Sequence, residues 1–151
     1  RNPFKMEKVM KRASSQENIT PLYVDYTDGE KLRKAIRETI HHNGNIVLVV
    51  AWIHSIAEDA LSIIMDEISK GTYEWELYHV LGSSSDLDAI KRKVLTPENC
   101  SYHQVQLGFV LEGAYSRWLT HQEISEGVIE AINRKKKVHV VGQLEPWEKR
   151  P

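Results

Sequence analysis

Six consecutive apolar residues, Ile46-Val47-Leu48-Val49-Val50-Ala51, leave no polar position on either side of an extended chain. A strand of that kind is expected where helices cover both faces, as in the middle of a parallel sheet. Parallel strands need crossover connections, and the flanking sequence supplies them as amphipathic helices. The fold class that follows is α/β, with strands and helices alternating along one domain spanning residues 1–151.

The remaining elements can be read from periodicity and punctuation. Met6, Val9, Met10 and Ala13 share one face of a helix over 4–13, with Pro3 suited to its first turn. Residues 19–25 read as a short strand in which Pro21 is tolerable near the start or at an edge. Thr27 and Glu30 have capping-box spacing ahead of a helix striped by Leu32, Ala35, Ile36 and Ile40, and Asn43-Gly44 stops it. Ser55 and Glu58 repeat that spacing before Leu61, Ile64, Met65 and Ile68. Residues 75–81 form a third strand, running into Gly82-Ser83-Ser84-Ser85 and a short helix over 86–94 with Ser85 as its cap. Residues 102–111 alternate as one strand, with Val105, Leu107, Phe109 and Leu111 on one side and Gln104, Gln106 and Gly108 on the other. Thr120 and Glu123 cap the last helix, and 138–141 is the last strand. About five strands with five helices predict a three-layer, Rossmann-like, mostly parallel sheet.

Composition narrows the function classes. Twenty Lys plus Arg against 21 Asp plus Glu give a net charge of −1, which does not point to nucleic acid or an anionic membrane as partner. The one cysteine, Cys100, excludes an internal disulfide framework and fits the cytoplasm, and no apolar run approaches the ~20 residues of a membrane span. The seven histidines give no His-x-x-x-His pair, so no metal is expected. The run Arg134-Lys135-Lys136-Lys137 closes a helix, where cations suit the dipole.

Candidate site residues are those placed at carboxyl ends of strands, where open α/β sheets hold ligands. His54 follows the apolar strand and can act as donor or acid/base near neutral pH, or be an ordinary loop residue. Ser84 can polarise a carbonyl, while the backbone amides around it can bind an anion or simply begin a capped helix. Trp52 can stack on a planar ring or pack in the core, and Asp25 suits either a ligand contact or a turn.

The order of these pieces resembles the short-chain dehydrogenase/reductase family, entered after its second strand. Arg1-Asn2-Pro3 resembles the turn leaving that strand, and Val24-Asp25-Tyr26-Thr27-Asp28 is similar to its V-D-x-T-D segment. Leu81-Gly82-Ser83-Ser84 resembles the strand end bearing the family's active-site serine, and Leu107-Gly108-Phe109-Val110 its later P-G-x-V. The resemblance implies a sheet without its first βαβ and NAD or NADP as cofactor. It also implies Ser84 with His54 on the catalytic side, and Arg1, Asp25 and Trp52 on the cofactor side.

The departures are equally specific. The family's glycine-rich strand-to-helix turn is missing, and Ala51-Trp52-Ile53-His54 stands where N-A-G belongs. Four residues beyond Tyr23, Tyr26, Tyr73, Tyr78, Tyr102 and Tyr115 come Thr27, Glu30, Leu77, Gly82, Gln106 and Leu119, so no Tyr-x-x-x-Lys pair exists. The expectation is an oxidoreductase-like chain that is inactive or incomplete by itself, with NAD or NADP implied by the resemblance alone and the main cofactor-binding loop lacking, or else a non-catalytic α/β scaffold. A sheet lacking its opening unit leaves an edge uncovered, so self-association as a homo-oligomer is expected.

Overall fold

The computed structural model describes residues 3–57 and 59–151; Arg1, Asn2 and Glu58 lie outside the described residues. Among the described residues five α-helices form: α1 (Pro3–Arg12), α2 (Gly29–Asn43), α3 (Ala60–Ile68), α4 (Leu87–Lys93) and α5 (His121–Arg134). The strands are β1 (Leu48–Ala51), β2 (Trp75–Leu81), β3 (Cys100–Leu107), β4 (Phe109–Glu112), β5 (Tyr115–Trp118) and β6 (Val138–Val141). Strands β1, β2, β3 and β6 pair in that order, every pair parallel, and β4 and β5 make a separate antiparallel hairpin. The fold is therefore α/β with a four-stranded parallel sheet, compatible with a Rossmann-like architecture.

Side chains alternate between two cores because successive residues of a strand point to opposite faces. Trp75 and Leu77 of β2 join Cys100 and Tyr102 of β3 in a cluster with Leu32 and Ile36 of α2 and most of the apolar residues of α3. Tyr78 and Val80 join Val105, Leu107 and Val141 in a second cluster built against Ala131 of α5. Helix α3 carries its apolar residues around most of its surface, and Ala60, Leu61, Ile63, Met65 and Ile68 are all buried. Glu67, also buried, accepts from Arg33, Arg37 and Lys70, which ties α2 to α3.

Several sequence expectations change. Residues 19–25 form no strand; Pro21 has no N–H to give, and β1 pairs only with β2. Strand β1 is consequently an edge rather than a central strand: Val47, Leu48 and Val50 are 61%, 43% and 46% exposed. Residues 102–111 divide at Gly108, where the chain leaves the sheet and turns back at Gly113, whose φ is +65°. Caps shift as well. Asp28 rather than Thr27 caps α2, Asp86 rather than Ser85 caps α4, and α3 starts after Asp59 without a side-chain cap. The capping box of Thr120 and Glu123 on α5 forms as expected, and Arg117 of the hairpin grips the same Glu123 at 2.9 and 3.1 Å.

Candidate functional site

Parallel strands β1 and β2 end side by side, with Ala51 opposite His79, so the turns that leave them rise from one rim of the sheet. Between those turns and helices α3 and α4 lies a cleft of about 900 Å³. Its wall runs from Trp52, His54 and Ser55 after β1 to His79, Gly82 and Ser85 along and after β2.

The turn after β2 is held in place from β3. The amide of Gln106 donates to the carbonyls of Ser83 and Ser85 at 3.2 and 3.0 Å, and Gln104 donates to that of Leu87 at 2.9 Å. Both glutamines are buried, and these bonds satisfy the polar groups that burial would otherwise penalise. The side of β3 that looks hydrophilic in sequence is thus an anchor for the cleft wall.

The sequence-derived candidates separate in space. His54 and Trp52 line the cleft, both exposed, with Trp52 at 52%. Ser85 lines it too, whereas Ser84, one residue earlier, is exposed and outside the lining. Asp25 is engaged locally, accepting from the Thr27 amide at 3.1 Å and the Thr27 hydroxyl at 2.8 Å, and is not among the lining residues. Arg1 lies outside the described residues. Of the amides that open α4, that of Ala89 is taken, donating to Asp86 Oδ1 at 2.9 Å, and the Asp86 carboxylate there disfavours a second anion.

The strongest electrostatic perturbation at the cleft belongs to His79. The residue is 8% exposed and its Nδ1 is 2.9 Å from the Tyr102 hydroxyl. Burial away from water pushes its pKa down to about 4, so the imidazole is neutral near pH 7. Burial pushes Tyr102 up to about 12, and Tyr78 likewise. Those phenols hold their protons, the opposite of the tuning a tyrosine acid/base requires. A legible signal for His79 was its register: Trp75, Leu77, His79 and Leu81 alternate on one side of β2, and one of the four is polar.

Elsewhere the ionisable groups serve structure. His103 stacks on Tyr78 at 4.5 Å and hydrogen-bonds the Lys136 carbonyl, while Glu76 accepts from Tyr78 and Lys135. Among the described residues no group of three or more His, Cys, Asp or Glu is placed to hold a metal ion. No described helix is long and apolar enough to cross a membrane. Burial pushes the Cys100 thiol up to about 11, which suits packing rather than nucleophilic chemistry. No family model, no curated protein and no solved structure matches this chain.

Proposed function

We propose that this chain is a dinucleotide-binding unit related to the short-chain dehydrogenases/reductases, that it takes NAD or NADP at the carboxyl rim of its sheet, and that by itself it transfers no hydride. The observation that carries this reading is the cleft at the tips of β1 and β2 in an all-parallel sheet. Open α/β sheets bind ligands outside the carboxyl ends of their strands, where strand order reverses. Strand β1 is the edge at which such a reversal would sit, with helices on both faces in a three-layer Rossmann-like parent. Trp52 offers a ring for stacking, and His54 and Ser85 offer polar contacts. Hydride transfer is left out because no tyrosine has a lysine in register and Tyr78 and Tyr102 are pushed towards the protonated form. Thermal unfolding with NAD, NADH, NADP and NADPH in turn tests the reading. A ligand at ~100 times its Kd adds about 2.7 kcal/mol, roughly 5 to 10 °C for a chain of this size. Unchanged melting with all four removes the dinucleotide role.

A second reading, a self-associating scaffold, is favoured by the outer side of β1. Leu48 and Val50 are exposed on one face of the strand and Val47 just before it, no described strand pairs with that edge, and no charge interrupts it. The opposite edge strand, β6, is preceded by Lys136 and Lys137, which discourage edge-to-edge pairing. Light scattering over a dilution series is expected to give a mass above the monomer that falls when Val50→Lys is introduced. A monomer at every concentration ends this reading.

A further inference from the structure

The cleft contains one polar group whose geometry is fixed from behind. His79 makes its one hydrogen bond through Nδ1, to Tyr102. Among the described residues no side-chain nitrogen or oxygen that is shut off from solvent lacks a partner. Nε2, which has no partner, must therefore reach open space, and the open space at His79 is the cleft. The direction of the bond at Nδ1 follows from counting donors. Tyr102 is 8% exposed, its hydroxyl hydrogen-bonds His79 Nδ1 at 2.9 Å, and the side-chain amide of Gln104 donates towards the same oxygen, which directs the phenolic proton to Nδ1. If Nδ1 carried the proton instead, the phenolic O–H would give up the one protein acceptor it is bonded to, and an unmade bond at a buried group costs more than a made one gains. The hydroxyl donates to Nδ1, and the ring proton is left on Nε2.

We propose that His79 is a binding residue of the cleft, presenting a fixed Nε2–H donor held in that tautomer by Tyr102, and that it takes the carbonyl oxygen of a neutral amide or ketone. The neutrality of the ligand follows from the surroundings. Among the described residues the cleft wall carries one carboxylate, Asp66, and one ammonium, Lys93, a balanced pair that offers an anion no net attraction. The neighbouring start of α4 already holds the Asp86 carboxylate. A neutral donor on a buried residue of that wall suits an acceptor that loses little solvation on entry.

The inference rests on the cleft being the ligand site of the previous section, but not on the ligand being a dinucleotide. Its test uses benzamide, with benzoate and toluene as comparisons, and the full chain labelled with ¹⁵N. At pH 7 the His79 side chain is expected to show a pyridine-like Nδ1 and a pyrrole-like Nε2, and benzamide should shift the Nε2 signal. His79→Phe should weaken benzamide about tenfold, the value of one neutral hydrogen bond, and leave toluene unchanged. If that variant does not fold, Tyr102→Phe serves: the two tautomers should then both appear and benzamide should bind more weakly. The opposite tautomer in the native chain, no response to benzamide, or tighter binding of benzoate than of benzamide each overturns the proposal. Dinucleotides that leave melting unchanged while benzamide passes these tests would remove the dinucleotide reading and leave His79 in its role.

Discussion

Replacing Gly108 with alanine is expected to lower the unfolding free energy by about 3 kcal/mol, by forcing backbone against backbone. A Cβ at this position would stand 2.1 Å from the Gln143 carbonyl oxygen and 2.7 Å from its carbon. Neither atom can swing aside, because the contact belongs to a ladder. Gly108 N donates to Val141 O, Phe109 N to Gln143 O and Gln143 N to Phe109 O, all at 2.9 Å. These bonds fasten the end of β3 to the end of β6 just where the chain departs into the β4–β5 hairpin. Gly142, at φ +75°, makes the matching approach from the other side. Gly82→Ala is the control: nothing lies within 4 Å of its Cβ position and its φ is not in the left-handed region, so its effect should stay within about 0.5 kcal/mol. Urea unfolding of both variants measures the contrast. A Gly108→Ala chain as stable as the Gly82→Ala chain would mean that the ladder gives way at little cost.

Glu67→Ala is expected to cost about 3 kcal/mol at neutral pH and to remove much of the acid sensitivity of the fold. Hydrogen bonds, first from Arg37 and then from Lys70 and Arg33, outweigh the burial of Glu67 and bring its pKa from the usual 4.5 down to about 2. A carboxylate whose pKa is depressed on folding stabilises the native state above its unfolded value. That stabilisation is complete above pH ~4.5, shrinks as pH falls and is gone below ~2. The partial solvation of Arg37 and Lys70, whose side chains are 59% and 57% exposed, keeps the figure below the full Coulombic value. His79 adds an earlier step of the same sign. Its folded pKa lies near 4 against an ordinary 6.5, so a buried neutral ring must charge as pH drops through that interval. Urea midpoints of the native chain should fall from about pH 6.5 downward and steepen below 4.5. In Glu67→Ala the lower segment should flatten while the His79 segment persists. Parallel curves for the two proteins would show that the charge network is not what holds α2 to α3.

Much of the fold was legible because local rules and tertiary packing agree. The five helices read from periodicity form, as do the strands at 75–81 and 138–141 and the last four residues of 46–51, although α3 starts at Ala60 rather than just after Ser55; the capping box of Thr120 and Glu123 formed as spaced. The site was legible only to the level of a rim. His54, Trp52 and Ser85 reached the cleft because position after a parallel strand is a matter of topology, which alternating elements reveal. Which of two adjacent serines faces the cleft depends on how Gln106 ties down the turn, and that bond joins residues 21 and 23 apart in sequence.

By itself, then, the sequence determined the α/β class, the parallel direction of the sheet and the end of it that carries the cleft, since periodicities of 2 and 3.6 and short connections are properties of neighbouring residues. Only the tertiary structure decided that residues 46–51 supply an edge and that residues 19–25 remain unpaired, because a strand exists only through its partner. The same holds for His79 and Tyr102. Their hydrogen bond spans 23 residues, and a polar residue in a buried strand shows its purpose only when the strand beside it is in place.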